Sequence, residues 1–146
     1  MSTISKRPSR VFAMQLLYAM QITAGTPGEC LLGVLESQPI HDDMKKYGMS
    51  LVDLVLEHRE KLLEIMDELS HSWKTDRMPI LDKMILEVAL VEFLYKKDTP
   101  AKVIIQEAVQ IANKFSTDDS ARFINGLLDS YAKSNKMILD QNSGQE

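Results

Sequence analysis

The sequence predicts an all-α fold, a compact bundle of about six or seven helices. Three observations lead there. Apolar residues recur at three- and four-residue intervals along most of the chain. A hydroxyl residue followed by proline, the chemistry of a helix start, stands twice between the periodic stretches, at Thr26-Pro27 and Thr99-Pro100. Nowhere is the two-residue alternation of a half-buried strand sustained.

The first helix is expected from about Ser9 to Ile22, with Val11, Met14, Leu17 and Tyr18 at helical spacing and Gly25 ending it. Thr26 can cap the next, Pro27 fits its first turn and Glu29 completes a capping box; this short helix carries Leu31, Leu32, Val34 and Leu35 and stops before Pro39. From Asp42 to Ser72 an apolar stripe through Tyr47, Leu51, Leu54, Val55, Leu62, Ile65, Met66 and Leu69 spans two helices, with a break around Glu57–Glu60. Pro79 closes the following loop. The segment Ile80 to Tyr95 is apolar over so wide a face that it belongs at the centre of the bundle. After Thr99-Pro100, Ile104, Ala108, Ile111, Ala112 and Phe115 form one face, while Lys102, Gln106, Glu107, Gln110, Asn113 and Lys114 take the other. Ser116-Thr117-Asp118-Asp119 opens the last helix, whose stripe is Phe123, Leu127, Leu128 and Tyr131. Residues 1–139 read as one domain and 140–146, without an apolar residue, as a disordered tail.

A chain of 146 residues with 45% hydrophobic and 26% charged residues can bury a full core without disulfide or metal. A single cysteine, Cys30, beside Leu31 and Leu32, reads as a small buried hydrophobe and favours a reducing cytoplasm. There is no signal-peptide pattern and no membrane-length apolar run. His41, His58 and His71 have no metal-ligand spacing, and no phosphate-cradling glycine motif occurs. Carboxylate groups such as Glu64, Asp67 and Glu68 read as a solvated helix face. An all-helical enzyme acting on an anionic substrate needs cations inside the bundle, and the apolar stripes hold no Arg or Lys. The expectation is therefore a non-enzyme with no metal and no cofactor.

The net charge of −4 argues against a general nucleic-acid coat, yet the first 28 residues hold Lys6, Arg7 and Arg10 and no acid. These cations stand at the start of the first helix, where free N–H groups also favour phosphate. Tyr18 follows Arg10 by about two turns, placing an aromatic ring for stacking on an unpaired base near the same side. An ordinary solvated terminus explains the cations equally well, and a core aromatic with its hydroxyl at the rim is the commoner setting for a residue such as Tyr18.

The C-terminal half adds a resemblance. Lys102-Val103-Ile104-Ile105-Gln106-Glu107-Ala108, closing at Lys114-Phe115, and Asp119-Ser120-Ala121-Arg122-Phe123-Ile124-Asn125-Gly126-Leu127-Leu128-Asp129 resemble the NusB antitermination-factor family. Leu81 to Leu94 is similar to the family's central helix, and Ala13-Met14-Gln15-Leu16-Leu17-Tyr18 to its first. The Asn125-Gly126 pair is a poor helix former, which predicts a packing reason, with Gly126 admitting a neighbouring helix. The resemblance implies two packed helical sub-bundles. It also implies a factor that binds boxA-type single-stranded RNA of nascent ribosomal RNA transcripts together with a small-subunit ribosomal protein acting as Nus factor E, as part of an RNA polymerase antitermination complex. Carried over residue by residue, Lys6, Arg7, Arg10, Tyr18, Asp119, Arg122 and Phe123 are the implied RNA-binding residues, with capping an alternative role for Asp119 and packing for Phe123. Trp73, Arg77 and Asp82 are the implied contacts to the protein partner.

Two departures from the pattern matter. Pro8 and Ser9 interrupt the basic cluster and Val11 follows it where the family carries an acid. Each lost phosphate contact removes about one unit of salt dependence, so RNA affinity is expected to lean on the ribosomal partner. Some RNA cytosine methyltransferases have a NusB-like N-terminal domain, but these 146 residues hold neither a cofactor-binding Rossmann unit nor a catalytic cysteine motif, so that activity is not expected of them. The alternative reading is a helical protein–protein scaffold related to that domain and without RNA binding of its own.

Overall fold

The computed structural model describes residues 5–70 and 77–137. Among them are six helices and no strand: α1 (Arg7–Thr23), α2 (Pro27–Ser37), α3 (Asp42–Leu69), α4 (Ile80–Tyr95), α5 (Ala101–Phe115) and α6 (Asp118–Ser134). Helix α1 packs on α2 and α3, and α5 packs on α4 and α6, giving two three-helix sub-bundles. Helix α4 also lies against α1 and α3 and joins the two. Trp73 and the residues from 138 onward, including the expected tail, lie outside the described residues.

Local chemistry explains most boundaries. Thr26 accepts from the Glu29 amide at 3.2 Å and Glu29 accepts from the Thr26 amide at 2.9 Å, the full capping box read in the sequence. Thr117 caps α6 by accepting from the Ser120 amide at 3.0 Å. Asp119 therefore does not cap this helix. At the end of α1 it is Ala24, not Gly25, that takes the left-handed conformation, with φ 59°. Pro100 rather than Thr99 precedes the first residue of α5, and no side chain caps that helix.

The break expected near Glu57–Glu60 is a kink inside one long helix. His58 leaves helical geometry (φ −117°, ψ 18°), and its ring stacks on Tyr95 with centroids 4.4 Å apart. Arg59 then reaches α4 with a forked pair of bonds, 2.8 Å each, onto Glu87. Upstream, α3 crosses α1 at Gly48. A Cβ there would lie 2.6 Å from the Phe12 ring and 2.9 Å from the Ser9 carbonyl oxygen, so only glycine allows this approach.

Helix α4 is the core, buried without a gap from Met84 to Phe93. Three of its acids are buried too. Asp82, Glu87 and Glu92 are 0%, 0% and 1% exposed, and each meets a different neighbour. Asp82 accepts from Ser116 and Ser120, Glu87 from Arg59, and Glu92 from Arg10 and Tyr47. Desolvation pushes the Glu87 carboxyl above its ordinary range, and the Arg59 fork opposes that shift.

Two expectations fail in α2 and α6. Cys30 is only half-buried and lines an open groove between α1 and α2, with its Sγ 3.4 Å from the Thr23 hydroxyl. Gly126 is exposed, and a Cβ there would meet nothing within 4 Å. No helix packs on it, so the Asn125-Gly126 pair has no packing role among the described residues.

Candidate nucleic-acid interface

The start of α1 is where the sequence concentrates its cations, and the folded chain separates them into three roles. Lys6 precedes the first turn and holds its ammonium 4.6 Å from the Tyr47 ring centre, while Lys96, from the end of α4, approaches the same ring at 5.0 Å. Two cations converge on one aromatic ring. Nothing in the local spacing of the sequence places Lys96 beside Lys6.

Arg7 is partly exposed, with 42% of its side chain accessible. Its guanidinium grips Glu107 of α5 through Nε (3.0 Å) and Nη2 (2.8 Å), and Nη2 also donates to the Gln110 carbonyl. The Arg7 bond holds the Glu107 carboxyl below its usual range, so the pair is ionised at neutral pH. Glu107 thus lies against α1 and not on the solvated face that helical periodicity assigned to it.

Arg10 is buried at 5% exposure. Its Nε donates to Glu92 at 2.7 Å and its Nη1 to Glu107 at 3.3 Å, while the Tyr47 hydroxyl donates to the second Glu92 oxygen at 2.6 Å. Burial first, then the Glu92 bond, raises the Tyr47 hydroxyl well above its ordinary pKa and keeps it a donor. A cation does therefore stand inside the bundle, contrary to the sequence expectation. Its two nearest groups are carboxylates, so Arg10 neutralises protein charge in place of an outside anion.

Between the start of α1 and the start of α5 lies an open hollow of about 420 Å³, whose lining includes Ser5, Lys6, Arg10, Thr99 and Glu107. Because α5 begins without a side-chain cap, its first N–H groups are available to an acceptor. Lys6 and this helix end favour an anion; Asp98 and Glu107 on the same wall oppose it.

The other residues singled out by sequence occupy different settings. Tyr18 is 40% exposed. Its separation from Arg10 corresponds to a turn of about 80° round the helix axis, enough to put one residue outside and the other inside. Asp119 and Arg122 pair with each other on the exposed first turn of α6, and Phe123 packs, half-buried, against the core. Arg77 is exposed. Asp82 is a correction: it is fully buried, held at 2.8 Å and 2.5 Å by Ser116 and Ser120, and presents no surface to a partner. Among the described residues no cluster of His, Cys, Asp and Glu could hold a metal, and no helix is long and apolar enough to cross a membrane.

The profile of the NusB family matches residues 7–133, nearly all of the helical body. The chain belongs to the NusB family. Among curated relatives, the transcription antitermination protein NusB of Geobacter sulfurreducens is 39% identical over 129 residues, covering 88% of this chain and 94% of its own. That of Thermodesulfovibrio yellowstonii is 34% identical over 140 residues, covering 89% and 93%. Two solved structures share the NusB fold. One is T. maritima NusB, with a TM-score of 0.80 at 24% identity, covering 90% of this chain and 93% of that one. The other is a chain from the crystal structure of antitermination factors NusB and NusE in complex with dsRNA, with a TM-score of 0.79 at 23% identity, covering 88% and 96%. Within this NusB-family chain the two sub-bundles are the fold.

Proposed function

We propose that this chain is a transcription antitermination factor that binds boxA-type single-stranded RNA of nascent ribosomal RNA transcripts jointly with a small-subunit ribosomal protein, Nus factor E, and thereby changes how RNA polymerase responds to termination signals. The observation that carries the reading is the family match along residues 7–133, joined to a start of α1 where Lys6 and Arg7 are both partly exposed. Curated relatives are named as antitermination proteins, and a structural neighbour was solved with NusE and RNA. The protein works in the cytoplasm, without catalysis and without a cofactor, and residues 1–139 act as one unit.

Lys6, Arg7, Tyr18, Asp119, Arg122 and Phe123 are the proposed RNA contacts, while Arg10 serves them from inside by fixing Glu92 and Glu107. Arg77, and Trp73 beyond the described residues, are the proposed contacts to the ribosomal protein. With Arg10 internal and Arg7 shared with Glu107, few cations remain for phosphate, so the partner contributes much of the affinity.

The test is RNA binding with and without the ribosomal protein across a salt series, using a boxA-type strand, a scrambled strand and a duplex. The boxA-type strand gains over both controls once the partner is present. If it gains over neither, the chain is a helical protein scaffold and the RNA reading fails. Arg7→Glu in a folded chain weakens binding and flattens the salt dependence; unchanged binding removes Arg7 from the site.

A further inference from the structure

A second hollow, of about 220 Å³, opens one step round α1 from the first. It is lined by Arg7 and Val11 of α1, Gln38 from the end of α2, and Gln110, Lys114 and Phe115 of α5. Arg7 and the Lys114-Phe115 pair stood out in the sequence, but nothing there joins them to Gln38 and Gln110, because the walls come from three helices.

Its chemistry is unbalanced toward donors. Gln110 gives its carbonyl to Arg7 and is left with its amide NH₂. Glu107 and Gln110 engage Nε and Nη2 of Arg7, so Nη1 is the edge it can offer a ligand. Lys114 is exposed and adds an ammonium, 5.5 Å from the Phe115 ring centre. Gln38 alone supplies both a donor and an acceptor. Phe115 and Val11 form an apolar wall against which a flat ring can lie. A small hollow with a cationic rim, an aromatic wall and two amides is suited to an unpaired nucleobase whose phosphates stay at the rim.

We infer that this hollow holds one unpaired, carbonyl-rich nucleobase of the bound RNA, uracil or guanine, with Gln110 and Gln38 reading its edge and Lys114 and Arg7 holding the adjoining phosphate. The inference rests on the RNA-binding function proposed above and adds where one base is read. Uracil offers two carbonyl oxygens, and guanine offers O6 and N7, to a wall of donors. Adenine and cytosine turn an amino group toward a wall of donors in which only the Gln38 carbonyl can accept from it.

The experiment uses the full chain with the ribosomal protein and a set of boxA-type strands, each lacking one base. In the unmodified protein one position loses about tenfold in affinity when its base is removed, the scale of one stacked and hydrogen-bonded base. Gln110→Ala and Gln38→Ala weaken binding of the intact strand, and in them the penalty at that position shrinks toward onefold while other positions keep theirs. Lys114→Gln lowers the slope of log affinity against log salt by about one unit. Replacing the uracil or guanine at that position by cytosine or adenine costs about as much as removing the base. The inference is overturned if the glutamine variants keep wild-type affinity and every base-removal penalty, or if cytosine and adenine are accepted equally. Absence of any RNA binding by the unmodified pair is a different result, which removes the proposed function and the base site with it.

Discussion

Replacing Arg10 by methionine separates a structural cation from an RNA ligand. The stem of methionine fills much of the space, but the guanidinium is lost, and with it the 2.7 Å bond to Glu92 and the 3.3 Å bond to Glu107. Glu107 keeps Arg7. Glu92, 1% exposed, keeps only the Tyr47 hydroxyl. A buried carboxylate stripped of its cation costs about 3–5 kcal/mol. With a urea dependence of about 2 kcal/mol per molar, the unfolding midpoint should fall by about 1.5–2.5 M with little change in slope. Circular dichroism at 222 nm across a urea series reads this directly. Removing the orphaned charge as well, in Arg10→Met with Glu92→Gln, should recover more than half of the loss, because the penalty lies in the unpaired ion. If Arg10→Met leaves the midpoint in place while RNA binding collapses, Arg10 faces the RNA and the burial argument is wrong.

Glu107→Gln frees Arg7 and should tighten RNA binding about two- to fivefold, the scale of one partly exposed ion pair; weaker binding would show that Glu107 helps present Arg7. The same pair sets an acid-side response. Glu107 is held below its usual 4.5, so its contribution to stability is complete above that value and is lost as pH falls through the depressed folded value. Thermal unfolding of Glu107→Gln should lack that part of the acid loss. Gly48→Ala gains about 1 kcal/mol of helix propensity but drives a Cβ against the Ser9 carbonyl and the Phe12 ring, for a net loss of about 1–2 kcal/mol; a neutral or raised melting temperature would contradict the close crossing of α1 and α3. Asp82→Ala leaves the hydroxyls of Ser116 and Ser120 without their acceptor and should cost about 2–4 kcal/mol in urea unfolding. Full stability with lost affinity for the ribosomal protein would return Asp82 to the partner surface.

Helix positions were legible in the sequence because each rests on local signals. The Thr26 capping box and the apolar run from Ile80 to Tyr95 needed no tertiary information. The site was less legible. Glu107 looked like a solvent-facing acid because helical periodicity sorts residues by polarity, and a buried ion pair breaks that sorting through contacts 100 and 97 residues away in the sequence. Arg10 was miscast for the same reason: its partners lie on α4 and α5. Lys96 and Tyr47 joined the site only through the folding of α3 and α4 onto α1. Gly126 shows the opposite error, a helix-unfavourable glycine given a packing role where the surface is open.

The three buried acids of α4 recur every five residues, so each step turns about 140° and advances about 7.5 Å along the helix. Together they work like the teeth of a key, each cut for a different wall. Sliding α4 by one residue would swing all three carboxylates by about 100° and strand them in apolar surroundings at once. Hydrophobic packing alone tolerates such shifts, since most faces of α4 are interchangeable in greasiness; the acids do not. Joining the two halves of the molecule through a keyed helix fixes the angle between them, and with it the spacing between the start of α1 and the start of α6, over which an RNA strand would have to be laid.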